Sequence, residues 1–235
     1  MSRQPFTVCE DKNIYLDHNA TTPPALFLRA KLDEWFGLWG NPSSIHWTGR
    51  GPKSLLRETR KKIAQFIGAH PLEIIFTSGG SEANNLAIKG IYSALNKKNR
   101  THYMVSAIEH PSVFKVMEFI KSRGAEVDII PVDRGGNIDL DFYRHHLRAN
   151  TALVSVMMAN NETGNIFPIK EMAQMAHEVG ALFHSDMVQT LGKISFDIKN
   201  LGIDLASFSG HKFYALKGAG FLWVRSNTPL VSLIH

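Results

Sequence analysis

The chain has 235 residues, enough for one large domain or two small ones, and at 44% hydrophobic and 20% charged its composition is that of an ordinary globular protein. Its net charge of +5 comes from 26 basic and 21 acidic residues spread along the chain, which argues against a nucleic-acid-binding protein. The single cysteine excludes an internal disulfide. With no visible secretory signal and no apolar run of membrane length, we expect a cytoplasmic protein that does not enter membranes.

Hydrophobic periodicity predicts an alternation of helices and strands after a polar N-terminal segment, residues 1–14. The predicted helices cover residues 25–36, 52–67, 81–95, 111–123, 140–147 and 169–179. The predicted strands cover residues 73–77, 103–107, 127–132, 152–159, 181–185, 205–208 and 220–224, and residues 14–17 form a further extended piece. This order predicts an α/β fold, a mostly parallel sheet with helices on both faces, in one domain over residues 15–235.

Polar residues follow five of the predicted strands. The segments are TSGGSE at 77–82, EHPS at 109–112, NNETG at 160–164, HSDMVQ at 184–189 and SGHK at 209–212. Because ligands of open α/β sheets bind at the carboxyl ends of the strands, we expect these segments to lie near one site.

Each segment has a functional and a purely structural interpretation. The glycines before Ser81 suit a phosphate at a helix start, or an ordinary turn in which Ser81 caps the helix. His110 suits ring stacking or proton transfer, or a polar role near a helix start. Asn161 could donate to a ligand oxygen or simply form a turn. Asp186 needs a partner such as a pyridinium nitrogen, an arginine or a metal ion, and since no second His/Asp pair matches His184 and Asp186 in spacing, we expect no metal.

Lys212 follows the apolar strand 205–208 and precedes a glycine-rich turn. Burial disfavours the charged amine, and a neutral amine can hold a carbonyl compound as a Schiff base. The alternative is a solvated lysine in a turn. A phosphate turn, a stacking histidine, an amide, a strand-end carboxylate and a strand-end lysine together form the set that a pyridoxal phosphate site requires.

Seven motifs, in order and covering almost the whole chain, resemble those of the cysteine desulfurases of the class V aminotransferase superfamily. They are YLDHNATT at 15–22, GNPSS at 40–44, FTSGGSEANN at 76–85, EH at 109–110, NNETG at 160–164, DMVQ at 186–189 and SGHK at 209–212. The resemblance implies the large domain of a pyridoxal-phosphate-dependent transferase of fold type I.

The resemblance also implies roles for individual residues. Lys212 would bind the cofactor covalently and carry protons, and His110 would stack on the ring and assist proton transfer. Asp186 would bind the ring nitrogen, Gln189 the ring hydroxyl, and Val188 would pack on the face opposite His110. The phosphate would be held by Gly80, Ser81, Ser209 and His211. Residues near the substrate would be Asn19, Thr21, Asn41 and Asn161, with Asn161 also near the ring hydroxyl.

The chain departs from this family in what it does not contain. The family continues with a small C-terminal domain, an arginine for the substrate carboxylate and a loop with the sulfur-accepting cysteine, so we expect residues 15–235 to be an incomplete large domain without the small domain. Cys9 does not match the catalytic cysteine, and it lies in an N-terminal segment without an electropositive motif around it.

Three functional interpretations follow from the resemblance. The first is part of a cysteine desulfurase, which converts L-cysteine to alanine and a persulfide for a sulfur-acceptor or scaffold protein in iron-sulfur cluster assembly, as a homodimer when intact. The second is another class V enzyme, a selenocysteine lyase or an aminotransferase. The third is a non-catalytic fragment that binds pyridoxal phosphate or a partner protein. Without the cysteine loop, this chain is expected to be inactive in sulfur transfer by itself.

Overall fold

A computed structural model describes residues 14–235 of the chain. The expectation for Cys9 therefore lies outside the described residues. Within 14–235, the α-helices are α1 (Leu26–Phe36), α2 (Trp47–Ile67), α3 (Gly80–Leu95), α4 (Pro111–Ser122), α5 (Leu140–His146) and α6 (Ile169–Glu178). The strands are β1 (Ile74–Thr77), β2 (His102–Ser106), β3 (Glu126–Ile130), β4 (Thr151–Ser155), β5 (Leu182–Asp186), β6 (Leu205–Ser209) and β7 (Gly220–Val224).

These strands form one seven-stranded sheet in the order β1-β7-β6-β5-β4-β2-β3. Strands β2 to β6 run parallel to their neighbours in this order, and β7 lies antiparallel between β1 and β6. The predicted mostly parallel α/β sheet is thereby confirmed. Since parallel strands present their carboxyl ends at one edge, the loops after β2, β4, β5 and β6 converge there.

Helices cover both faces of the sheet. One core contains the buried side chains of α2, α5 and α6 against Met104, Val154 and Phe183, and the other contains those of α3 and α4 against Tyr103 and Leu153. Neighbouring residues of a strand point to opposite faces, so strands buried on both sides read as continuous apolar runs in the sequence.

Helix α2 begins at Trp47, five residues before its predicted start at Pro52. A proline usually marks the first turn of a helix because it has no N–H to donate and clashes with the preceding turn. Here Pro52 lies inside the helix. In a regular helix the backbone N–H of residue 52 would donate to the carbonyl of Thr48. That carbonyl lies against Gly40, and a Cβ on Gly40 would be 2.1 Å from its oxygen.

Strand β4 ends at Ser155, four residues short of its predicted end at residue 159. The backbone N–H of Met157 donates to the carboxylate oxygen Oε1 of Glu109 (2.7 Å) instead of to a neighbouring strand. The apolar run continues buried beyond that point, with Val156, Met157 and Met158 all nearly inaccessible. Burial therefore explains the apolar run. The backbone N–H groups of Val156 and Met158 still donate to the β5 carbonyls of His184 (3.1 Å) and Asp186 (3.1 Å), so the Glu109 side chain replaces a strand partner only for Met157. The extended piece predicted at residues 14–17 is not a paired strand.

Candidate functional site

A cavity of about 560 Å³ opens at the carboxyl ends of β4, β5 and β6 and at the start of α3. Eleven of the thirteen site residues predicted from the sequence line this cavity: Asn19, Gly80, Ser81, His110, Asn161, Asp186, Val188, Gln189, Ser209, His211 and Lys212. The convergence expected from the parallel sheet is thus present, and the cavity volume falls within the ~300–1,000 Å³ common for small-molecule sites.

Two predicted residues do not line the cavity. Thr21 lies behind it, where its hydroxyl is 3.1 Å from Nδ1 of His211. Asn41 is exposed in the loop before α2, and its side-chain oxygen accepts a hydrogen bond from the backbone N–H of Ser43 (2.9 Å). Its expected place near the substrate stays a prediction.

Lys212 lies in a single helical turn, Gly210–Lys212, directly after β6. Its Nζ donates to the backbone carbonyls of Asn19 (2.5 Å) and Ala20 (2.8 Å), in the segment that crosses the mouth of the cavity. Partial burial lowers the pKa of the Lys212 amine, and the carboxylates of Asp186, Asp17 and Glu162 oppose that shift. The amine thus loses its proton more readily than a solvated lysine would.

Asp186 ends β5 with only 6% of its surface exposed. Its Oδ2 accepts from Nδ2 of Asn84 (2.8 Å) and its Oδ1 from the backbone N–H of Val188 (3.0 Å). Burial raises the pKa of the Asp186 carboxyl above its usual value, while these two hydrogen bonds and the charges of His110 and Lys212 favour the ionised form. A buried carboxyl that faces a cavity is suited to hold a cationic N–H of a ligand.

The N-terminus of α3 also borders the cavity. Helix α3 begins at Gly80, and its N-cap is Gly79, so Ser81 is not the cap but the second helical residue. A Cβ on Gly80 would lie 2.7 Å from Cγ2 of Val188 and 3.5 Å from Cβ of Ser209, so only glycine lets these three residues meet. The helix start, with its unpaired amides and the hydroxyls of Ser81 and Ser209, offers donors to an anion.

Residues at the cavity mouth connect three separate segments. Gln189 donates from Nε2 to the carbonyl of Asn19 (2.9 Å), while its Oε1 accepts from Lys193 Nζ. The amide of Asn19 donates in turn to the carbonyl of Asn161 (3.2 Å). The segment around Asn19, distant in sequence, is therefore joined to the loops after β4 and β5.

Sequence reasoning missed two residues that contact the predicted ones. Asn84 (1% exposed) and Ser112 both line the cavity, and Nδ2 of Asn84 donates to Ser112 Oγ (2.9 Å) as well as to Asp186. Both lie in segments that the sequence analysis named, but they project from helices and were assigned no role. The motif FTSGGSEANN at 76–85 did contain a signal for Asn84, because a buried asparagine needs partners for both of its amide hydrogens.

His184, the other residue considered for a metal, lies in the sheet beneath the cavity. Its two ring nitrogens are 2.8 Å from Ser155 Oγ and 2.9 Å from Ser207 Oγ, and burial lowers its pKa to about 3. In the part of the chain that the structure describes, no three His, Cys, Asp or Glu side chains come together in a way that could hold a metal ion. Between residues 14 and 235, no helix combines the length and apolarity needed to cross a membrane.

Residues 14–231 match the profile of the family described as "Aminotransferase class-V". The chain is 45% identical to "Cysteine desulfurase IscS" of Dictyoglomus turgidum over 229 residues, which are 95% of this chain and 57% of that protein. It is 40% identical to "Cysteine desulfurase NifS" of Azotobacter vinelandii over 225 residues, 95% of this chain and 56% of that one.

Solved structures show the same fold. A structure titled "NIFS-LIKE PROTEIN" superposes with a TM-score of 0.91 at 34% identity, over 94% of this chain and 61% of the other. One titled "SspA in complex with cysteine" superposes with a TM-score of 0.89 at 36% identity, over 94% and 64%. The chain thus spans somewhat more than half the length of the relatives that it matches. On its sequence, its fold and its match over residues 14–231, the chain belongs to the class V aminotransferase family.

Proposed function

We propose that this chain is the pyridoxal-phosphate-binding part of a cysteine desulfurase. The observation that carries the proposal is the meeting, around one cavity, of the Lys212 amine, the buried Asp186 carboxyl and the N-terminus of α3. The residues fit the cofactor in chemistry: an amine for its aldehyde, a buried carboxyl for its ring nitrogen, and helix amides with hydroxyls for its phosphate. The curated relatives named as cysteine desulfurases support cysteine as the substrate.

Pyridoxal phosphate, when bound, supplies an electron sink. The chain's own residues would do the rest. Lys212 would anchor the cofactor through Nζ and later move a proton at that atom. Asp186 would hold the proton of the ring nitrogen. His110 would lie against the ring and present Nε2 to the substrate. The phosphate would be bound by Gly80, Ser81, Ser209 and His211. Burial and the charges of Lys212 and Lys217 lower the pKa of His211, which favours its neutral ring.

Residues at the cavity mouth would bind the ring hydroxyl and the substrate, namely Gln189, Asn161 and Asn19. Val188 would pack on the ring. Cys9 is the chain's one cysteine, so a sulfur-accepting thiol other than Cys9 comes from outside these residues. We further propose a cytoplasmic homodimer that passes sulfur to an acceptor or scaffold protein.

The test is the visible spectrum of the chain after addition of pyridoxal phosphate and desalting. We expect wild type and Lys217→Ala, a matched change of an exposed lysine five residues away, to retain a visible absorption band, and Lys212→Ala to lose it. Equal spectra for wild type and Lys212→Ala would contradict the proposal. Addition of L-cysteine, L-selenocysteine or an amino-group donor then separates the three enzyme classes, since the desulfurase assignment requires the band to respond to cysteine.

A further inference from the structure

A chain of hydrogen bonds joins Asp186 to His110 through two residues that the proposed roles leave unused. The side-chain nitrogen Nδ2 of Asn84 donates to Oδ2 of Asp186 (2.8 Å) and to Oγ of Ser112 (2.9 Å). Oγ of Ser112 is 2.8 Å from Nδ1 of His110. Asn84 has exactly the two amide hydrogens that these two acceptors use.

The direction of this chain follows from a backbone group. The N–H of Ser112 also points at Nδ1 of His110 (3.1 Å), which is the N-cap contact of α4. A backbone N–H can only donate, so Nδ1 must accept and carries no proton. The Ser112 hydroxyl, which accepts from Asn84, therefore donates to Nδ1, and the proton of a neutral His110 ring resides on Nε2.

Asn84 is held in this orientation by burial. It is 1% exposed, and its amide nitrogen, not its oxygen, must face the Asp186 carboxylate, because two oxygen acceptors would repel each other. Its Oδ1 is buried without a hydrogen-bond partner among the described residues, a cost that the two donated bonds offset. The hydrogen bond from Asn84 is one of the contributions that lower the pKa of Asp186 against its burial.

We propose that Asn84 is a positioning residue which, through the Ser112 hydroxyl, couples Asp186 to His110 and, together with the backbone N–H of Ser112, fixes His110 with its proton on Nε2; the consequence for the cofactor rests on the proposed function. One side chain then orders both groups expected to contact the cofactor ring, the partner of the ring nitrogen and the stacking imidazole. Removing it disturbs both, whereas removing the Ser112 hydroxyl disturbs His110 alone.

The first arm of the test needs no cofactor. Ring-nitrogen NMR of the ¹⁵N-labelled chain, with the His110 signals assigned from a His110→Gln spectrum, reports which nitrogen carries the proton. We expect Nε2–H in wild type and in Asn85→Ala, a matched control whose amide bonds only to the Ser81 carbonyl. In Asn84→Ala and Ser112→Ala the share of the Nδ1–H form should rise several-fold. The Ser112 hydroxyl, one of the two donors to Nδ1, is removed in Ser112→Ala and is no longer held by Asn84 in Asn84→Ala.

The second arm uses the chain loaded with pyridoxal phosphate. Loss of a hydrogen bond to a charged group corresponds to roughly ten- to hundredfold weaker binding, so we expect that loss of affinity in Asn84→Ala and a smaller one, roughly two- to tenfold, in Ser112→Ala. The pH at which the absorption spectrum of the bound cofactor is half changed should move upward in Asn84→Ala, because loss of the Asn84 hydrogen bond raises the pKa of the Asp186 carboxyl. In Ser112→Ala this pH should stay unchanged. General loosening of the fold would weaken binding without this difference.

The outcomes separate the two proposals. A proton on Nδ1 of His110 in wild type, or ring-nitrogen signals that neither variant changes, would overturn the positioning role. If wild type shows the Nε2–H form and the variants change it, but no variant or wild type retains the cofactor, the coupling stands and the proposed function fails. Should Asn84→Ala not fold by circular dichroism, the half-buried Ser112→Ala decides the first arm.

Discussion

Glu109 is a buried carboxyl next to the cavity that the proposed roles do not use. Its Oε1 accepts from Ser106 Oγ (2.5 Å) and from the backbone N–H of Met157 (2.7 Å), so it ties the end of β2 to the end of β4. Burial raises its pKa to about 8, with a further contribution from the charge of Asp186. The site therefore contains two buried carboxyls, and the carboxyl of Glu109 keeps its proton at neutral pH.

The raised pKa of Glu109 predicts a pH-dependent stability. In the folded chain Glu109 keeps its proton up to about pH 8, whereas in the unfolded chain it loses it near 4.5. Its contribution is thus fully present below pH 4.5 and is lost as pH rises toward 8, by roughly 1.4 kcal/mol per pH unit. Urea unfolding of wild type and Glu109→Gln between pH 5 and 8 should show a difference that grows in favour of Glu109→Gln. A difference independent of pH would contradict the prediction.

At the residue scale, sequence reasoning was sufficient for side chains that follow strands. Asp186, Ser209 and Lys212 were placed at one edge because the carboxyl ends of parallel strands must meet there. It was insufficient for side chains that reach the cavity from a helix, such as Asn84 and Ser112. Their place depends on the rotation of α3 and α4 against the sheet, which hydrophobic periodicity fixes only to a face and not to a neighbour.

Strand β7 permits the turn before α3 to approach the lysine loop. Gly220 pairs with Thr77 on β1 and with Ser209 on β6. A Cβ on Gly220 would lie 2.6 Å from both the Cα of Gly79 and the carbonyl oxygen of Phe208. Both are backbone atoms, which cannot turn aside as a side chain can. The close approach of the start of α3 to β6 therefore depends on a missing side chain in a third element.

Gly220→Ala should accordingly destabilise the fold by roughly 1–3 kcal/mol, since it overpacks a contact between backbones. Gly51→Ala is the control, because its Cβ would meet only the flexible tip of Leu38, and alanine gains up to about 1 kcal/mol over glycine in an exposed helix. Urea denaturation midpoints measure both. Equal midpoints for Gly220→Ala and wild type would show that the backbone yields more easily than this geometry indicates.

The start of α2 and the end of β4 differ from the bounds that local sequence patterns predict. The prediction for α2 began at Pro52, because a proline at a helix start is the commoner case, and missed the turn in which Gly40 accommodates the Thr48 carbonyl. The prediction for β4 followed the apolar run and missed its end, near which Met157 donates to Glu109, about fifty positions earlier, and not to a strand. In both cases the contact involves a residue outside the element.

Large apolar residues remain exposed on α1, on α2 and in the loop between them. Helix α1 contains no buried residue, and α2 buries only Gly49, Ala64 and Ile67. Six large apolar side chains of α1, α2 and the loop between them are more than two thirds exposed: Phe27, Phe36, Trp39, Ile45, Trp47 and Phe66. Monomeric proteins rarely leave so much apolar surface in contact with water.

We therefore expect the chain to self-associate through these exposed apolar residues, as sedimentation velocity over a concentration series would detect. Trp39→Lys and Trp47→Lys should each weaken association roughly tenfold, because buried tryptophans dominate the energetics of interfaces and a lysine would be costly to desolvate. Neither should change the free energy of unfolding by more than about 0.5 kcal/mol, since both side chains are 76% exposed in the single chain. Ile166→Lys, a change at another exposed apolar residue outside α1 and α2, is the control and should leave association unchanged. If wild type sediments as a monomer throughout, or if Ile166→Lys weakens association as much as the tryptophan variants do, the exposed side of α1 and α2 is not the contact surface.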